Sequence, residues 1–221
     1  MKKQILLFVS VALSTLAIAQ TKPTFGVKGG VSHAGLQGDA VTSLQSLIDF
    51  SNGAITTGNR TGFFAGGYAN IPVTEQFSIE PGIYYSQKGY ELKGSFNIKG
   101  AEFLSANAKA QLNTTYIDIP VLVKVTFSGL QIFAGPQVSY LADAKLRTTA
   151  GALGFNIVDN TMDAKSQFNQ WDVALTGGIG YQFGNGVNIS AAYDHGLSKV
   201  DNAQNFDSYN RAFKVGVGFR F

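Results

Sequence analysis

Apolar and polar residues alternate with period two along most of this chain, the spacing of strands that show one face to an apolar phase. The first such stretch covers residues 23–34, with Phe25, Val27 and Val31 on one face and Lys28 and Ser32 on the other. Further stretches follow at 61–71, 77–88, 114–125, 130–141, 171–183, 187–197 and 210–221. In 114–125, Ile117, Ile119, Val121 and Val123 oppose Tyr116, Asp118, Leu122 and Lys124. In 210–221, Phe213, Val215, Val217, Phe219 and Phe221 oppose Lys214, Gly216, Gly218 and Arg220. Each stretch is close to the roughly 9–11 residues with which a tilted strand crosses a bilayer. Aromatics gather at the ends of the apolar faces, among them Phe25, Phe77, Tyr85, Tyr140, Trp171, Tyr181 and Phe183, where interfacial girdles belong.

The connections alternate between short (72–76, 126–129, 184–186) and long (35–60, 89–113, 142–170, 198–209). Gly184-Asn185-Gly186 supplies the positive φ angles of a hairpin turn. Together these features predict an all-β fold: an eight-stranded antiparallel up-and-down transmembrane β-barrel with short periplasmic turns and long extracellular loops. Residues 145–158 read as an extension of a hairpin beyond the membrane. Residues 39–50, with Val41, Leu44, Leu47 and Ile48, suit either a short amphipathic helix or a loop over the mouth, the loop being favoured. Pro81, Pro120 and Pro136 fall inside expected strands, so bulges or strand ends are expected there.

The N-terminus adds a destination. Lys2 and Lys3 precede an apolar run over residues 5–16, and Ala17 and Ala19 fit the small-residue pattern of a signal cleavage site. The reading is a signal peptide over 1–19, cleaved after Ala19, and an outer-membrane barrel domain over 20–221. Losing Lys2 and Lys3 would leave 15 basic and 14 acidic residues, a charge of +1 in place of the +3 of the whole chain. That balance gives nucleic acid no reason to bind. With no cysteine there is neither a disulfide framework nor a lipid attachment point. No second apolar run is long enough for a spanning helix, so a membrane home requires a closed sheet.

Once the strands are placed, several of them carry a resemblance. Phe25-Gly26-Val27-Lys28-Gly29-Gly30-Val31, the run Phe77-Ser78-Ile79-Glu80-Pro81-Gly82-Ile83-Tyr84-Tyr85-Ser86-Gln87-Lys88-Gly89, Tyr116-Ile117-Asp118-Ile119-Pro120, Gly135-Pro136 and Gly218-Phe219-Arg220-Phe221 resemble the PorT-like porin family, small outer-membrane barrels built like OmpA and OmpX. The resemblance spans the mature chain and implies a bacterial outer-membrane location. It also implies that Phe219 and Phe221 form the C-terminal signal read by the barrel-assembly machinery. The family's name-giving member serves a secretion and gliding apparatus, which makes a secretion-apparatus or surface protein an implied partner beside outer-membrane lipid.

The polar faces carry Lys28, Lys88, Lys124, Lys214 and Arg220 against Glu80, Asp118, Asp172 and Asp194. A narrow barrel fills with side chains, and buried charges must pair, so these nine are expected to form a lumen charge network. The same residues could instead line an ion path. His33 and His195 sit near the loop ends of apolar faces, but no Ser-His-Asp order supports catalysis. Gly178-Ile179-Gly180-Tyr181-Gln182-Phe183-Gly184 lacks both the spacing and the following helix of a nucleotide loop; its glycines read as room for bulky lumen neighbours. No cofactor or metal is implied. The expected function is a non-enzymatic scaffold or surface interaction protein. A narrow porin is the alternative, a lipid-modifying enzyme a distant third, and a soluble lipocalin-like barrel with an apolar interior the inverted reading.

Overall fold

The computed structural model describes residues 22–38, 55–96, 106–152, 155–200 and 208–221. Among the described residues nine antiparallel strands form one sheet: β1 (Thr24–Gly38), β2 (Ile55–Pro72), β3 (Phe77–Phe96), β4 (Ala106–Phe127), β5 (Leu130–Ala152), β6 (Phe155–Asp163), β7 (Trp171–Gln182), β8 (Val187–Gly196) and β9 (Ser208–Arg220). Their order is β4-β3-β2-β1-β9-β8-β7-β5-β6, and β4 also pairs with β5. That last pairing closes a ring of eight, with β6 outside it as a flap on β5. The signal peptide expected over 1–19, with Ala17 and Ala19, and the 39–50 segment lie outside the described residues.

The alternation sets which face looks where. Val27, Val31, Ile83, Ile119, Val123, Ile132, Leu175, Ile179 and Val217 are exposed on the outside, while Glu80, Lys88, Asp118, Lys124, Asp172, Asp194 and Lys214 are buried inside. A soluble barrel with an apolar interior is thereby overturned. Outward aromatics ring both ends: Phe63 stacks on Tyr85 at 5.5 Å and Tyr140 meets Trp171 at 5.1 Å near the loops, while Tyr181 meets Phe183 at 4.9 Å near the turns.

Strands β2 to β5 run well past the expected ends. They hold 18, 20, 22 and 23 residues, so much of what the sequence suggests as loop is strand. The pairing Lys145↔Asp163 through Ala152↔Phe155 makes β5 and β6 the hairpin expected over 145–158. Beyond the bilayer the faces exchange character. Glu91, Lys93, Lys109, Gln111, Lys145 and Arg147 now point outward, and Tyr90, Leu112, Ala144 and Leu146 point inward. Water has replaced lipid outside, so the charges move there. A bulge at Ala142, where the register shifts between Thr115 and Tyr116, re-phases β5 at this boundary.

The prolines are absorbed otherwise than expected. Pairing lapses beside Pro81 between β2 and β3, beside Pro120 between β3 and β4, and beside Pro136 between β4 and β5, then resumes in the same register. Each missing N–H therefore costs a local gap rather than a bulge or a strand end.

Lumen glycines make slots for aromatic rings. A Cβ on Gly216 would lie 2.7 Å from the Phe64 ring, and one on Gly178 would lie 2.6 Å from Phe133. Gly216→Ala is expected to cost about 1–3 kcal/mol through overpacking, and Phe64→Leu should recover part of it. Urea unfolding of the single and double variants checks this; strict additivity would show that ring and glycine do not meet.

Candidate functional site

The lumen is built from side chains that the period-two phase sends inward from every strand of the ring. In the half nearer the short turns, the Glu80 carboxylate of β3 pairs with Lys124 of β4 and lies 3.5 Å from Lys28 Nζ of β1. Both lysines rest on aromatic faces. Lys28 lies 5.0 Å from the Tyr68 ring and 5.8 Å from Phe133; Lys124 lies 5.7 and 5.8 Å from the same rings. Asn188 Nδ2 donates to the Tyr68 hydroxyl at 3.0 Å, tying β8 to β2 across the lumen.

The half nearer the loops holds a chain of alternating charges. Asp118 of β4 accepts from Lys88 of β3 at 3.1 Å and from Lys214 of β9 at 3.0 Å. Lys214 also reaches Asp194 of β8 at 2.6 Å. Asp194 takes a further hydrogen bond from Thr176 Oγ1 at 2.9 Å, and Gln137 Nε2 donates to it at 3.4 Å. Lys88 sits 4.7 Å from the Tyr116 ring and Lys214 sits 5.7 Å from Phe64. Charges this deeply buried stay ionised only when opposite charges and hydrogen bonds replace their water. Here each of these carboxylates has at least one lysine.

Nearest the mouth, Asp172 departs from the expected network. It accepts from Ser198 Oγ at 2.6 Å and from Asn210 Nδ2 at 2.7 Å, and pairs with no cation among the described residues. Above it Tyr116, Leu141 and Ala144 form a small apolar cluster on which Phe168 packs. Phe168 comes from the 164–170 connection, held down by Leu141 N–H donating to Gln170 O and Asn169 N–H donating to Val200 O, both at 2.8 Å. Arg220 also departs: it is half-buried at the turn end of β9 and makes no ion pair with the described residues. The single network of nine expected from sequence is therefore two ion-pair clusters, one hydrogen-bonded carboxylate and one rim arginine. Strand tilt and stagger separate the groups, and neither is written in the alternation.

Between the two clusters lies a cavity of about 50 Å³, bordered by Lys28, Leu122, Phe133, Asp194 and Lys214. That is room for a few waters. The sequence reading missed the aromatic filling, Phe64, Tyr68, Tyr84 and Phe133, and the neutral donors Gln137, Thr176, Asn188, Ser198 and Asn210. The aromatics' signal is an aromatic in the polar phase next to a strand rich in glycine, legible only once strand neighbours are known.

Outside the ring, Arg147 and Asp159 clasp β5 to β6 through two hydrogen bonds, at 2.9 and 2.6 Å. The hydrogen bonds from Arg147 hold the Asp159 carboxyl below its ordinary value of 3.8. A depressed carboxylate stabilises the hairpin above its unfolded pKa, and that contribution is lost as pH falls through the folded value. Amide exchange along β6 is thus expected to rise relative to β5 below about pH 3.8, and Asp159→Asn should remove that pH step.

His33 and His195 face outward. His33 Nδ1 lies 3.1 Å from Thr61 Oγ1, and His195 leans on Tyr193 at 6.2 Å. The two histidines stand on β1 and β8, separated by β9. Among the described residues no group of three or more His, Cys, Asp or Glu is placed to hold a metal ion. Phe219 and Phe221 are exposed at the turn end, where Phe221 N–H donates to Phe25 O at 2.9 Å.

No curated protein matches the chain. Among solved structures it is similar to Ail, the attachment invasion locus protein of Yersinia pestis, with 10% identity over 91% of this chain and 100% of that one, at a TM-score of 0.46. Neisserial surface protein A is 14% identical over 91% of this chain and 100% of that one, with a TM-score of 0.40. Outer membrane protein OprG of Pseudomonas aeruginosa is 13% identical over 90% and 95%, with a TM-score of 0.42. Likenesses this distant carry no functional inference. The outer membrane protein beta-barrel domain family, in contrast, matches residues 18–202, most of the chain. With a ring of eight antiparallel strands, an apolar outside and a charged inside, this chain belongs to the outer membrane protein beta-barrel domain family and is a β-barrel of the bacterial outer membrane.

Proposed function

We propose that the protein is a non-enzymatic surface interaction protein, a plugged barrel that carries a sheet into the extracellular medium. The observation that supports this most is the disparity in strand length. β4 has 22 residues and β5 has 23, whereas β7 and β8 have 12 and 10. At roughly 3.3 Å per residue, the surplus in β4 and β5 reaches some tens of ångströms past the bilayer along the strand. An enclosed barrel gains nothing in closure from such an extension, while a binding surface on a rigid support does. The lumen fits the same reading, since ion pairs, aromatic rings and Phe168 occupy it. Within this reading the finer PorT-like resemblance makes a secretion-apparatus protein one candidate partner. Outer-membrane lipid surrounds the barrel, and Phe219 and Phe221 serve the assembly machinery.

The narrow porin is the second reading, favoured by the cavity of about 50 Å³ beside Lys28, Asp194 and Lys214. Ion conductance of the refolded chain in a planar bilayer separates the two. A silent, folded barrel is the expected result. Reproducible channels whose conductance changes in Lys124→Ala would overturn the plugged reading and make the lumen a conduction path. A lipid-modifying activity is set aside because His33 has only a threonine hydroxyl beside it and no carboxylate among the described residues to orient its ring.

A further inference from the structure

Every strand of the ring has a neighbour on each side, β5 pairing with β6 as well as with β4 and β7, whereas β6 has one neighbour only among the described residues. Among the described residues nothing pairs with its far edge, so a row of backbone donors and acceptors faces water over Phe155–Asp163, a strand of 9 residues. Natural sheets blunt such an edge with lysine and other charges, proline, a bulge or a very short strand. β6 carries two carboxylates and a register shift at Ile157, but Phe155-Asn156-Ile157-Val158-Asp159-Asn160-Thr161-Met162-Asp163 contains no proline and no basic residue, and Val158 to Asp163 pairs with β5 without a break. Its apolar side chains are also left in solvent, with Ile157 73%, Val158 47% and Met162 52% exposed.

We infer that the free edge of β6 is a docking edge that adds an extended segment of a partner protein as a further strand, and that this segment alternates apolar and basic residues. The inference rests on the surface-interaction reading and names the partner's chemistry. Backbone pairing along the edge supplies affinity, and the two side-chain rows supply selectivity. On the inward row, Val158 and Met162 flank Asn160, so apolar partner residues cover them. On the outward row stand Asp159, Thr161 and Asp163; Arg147 already holds Asp159 from the β5 side, so the charge left for a partner is the Asp163 carboxylate, which has no ion pair among the described residues. Basic partner residues complement that row; acidic ones oppose it. A second copy's β6 is not such a segment, because it brings no basic residue to the edge.

The test uses the full mature chain refolded in phosphatidylcholine nanodiscs, with three synthetic nonapeptides: alternating Lys and Val, alternating Glu and Val, and the Lys-Val peptide N-methylated at every second residue. Hydrogen exchange of the 155–163 amides is read at increasing peptide concentration. The Lys-Val peptide is expected to slow exchange along β6, with the Glu-Val peptide needing about tenfold more and the N-methylated one having no effect. Asp163→Lys should narrow the difference between the Lys-Val and Glu-Val peptides. No slowing at saturating Lys-Val peptide, or equal slowing by all three, overturns the inference. A barrel that is silent in the bilayer yet fails this test keeps the surface-interaction reading and loses only the edge; a conducting barrel removes the reading itself.

Discussion

Asp118→Ala is expected to lower the stability of the folded barrel by about 3–5 kcal/mol, because it strands the buried Lys88 and takes one of two carboxylates from Lys214. Asp118 is fully buried and is the shared acceptor of Lys88 at 3.1 Å and Lys214 at 3.0 Å. Lys214 retains Asp194, but Lys88 has no second carboxylate among the described residues. Its ammonium would keep only the Tyr116 face at 4.7 Å, a contact worth on the order of 2 kcal/mol when desolvated. Asp194→Ala is the matched control. It leaves Lys214 paired with Asp118, so its cost should be clearly smaller. Urea unfolding in lipid vesicles, followed by the fluorescence of Trp171, the single tryptophan, gives both numbers. Equal costs for the two variants would show that Asp118 is not the centre of the cluster.

Phe133→Ala is the second large effect, about 3–5 kcal/mol. The ring is buried, fills the slot above Gly178, and lies 5.8 Å from both Lys28 and Lys124. Truncation opens a void that merges with the existing cavity of about 50 Å³ beside Lys28 and Lys214. Because charged groups border that space, water will enter it, unlike a void walled by aliphatic side chains. Bilayer conductance of this variant then reads whether the ring is also the seal between the two clusters. The expected outcome is lowered stability with conductance above the silent parent. Unchanged stability would mean that the ring is not packed as described.

The two variants probe different kinds of packing. Asp118 is specified by charge and tolerates no isostere, since any neutral replacement leaves the Lys88 ammonium without a counter-charge. Phe133 is specified by volume, so Phe133→Leu should cost well under half of the alanine change. Thermal shifts in heat-dependent gel mobility rank all four variants without requiring conductance.

Much of this architecture is present in the sequence because lipid imposes a simple rule. Every outward residue between the girdles must be apolar, so Val27, Ile119, Val123, Ile179 and Val217 reveal the phase of their strands without any knowledge of neighbours. Lys28, Glu80, Asp118, Lys124, Asp194 and Lys214 are inward for the same reason. The alternation loses its meaning where the lipid ends. Past Tyr85 and Tyr140 the outer face turns polar, at Glu91, Lys109 and Arg147, and the strands there read as loop although β4 and β5 continue without a break. The phase slip at Ala142 hides the continuation further.

The sequence by itself determined that the chain forms a ring of membrane-crossing strands, which face of each strand meets lipid, and which charges the lumen must accommodate. All three follow from a period-two pattern acting on one strand at a time. Tertiary structure decided that Asp118 serves Lys88 and Lys214 while Asp172 relies on Ser198 and Asn210, that Phe64 and Phe133 occupy glycine slots, and that β6 stands outside the ring with an open edge. Those depend on stagger between strands distant in the chain. A side chain's partners across a barrel are set by the tilt that closes the ring, a property of all eight strands together and of no single one.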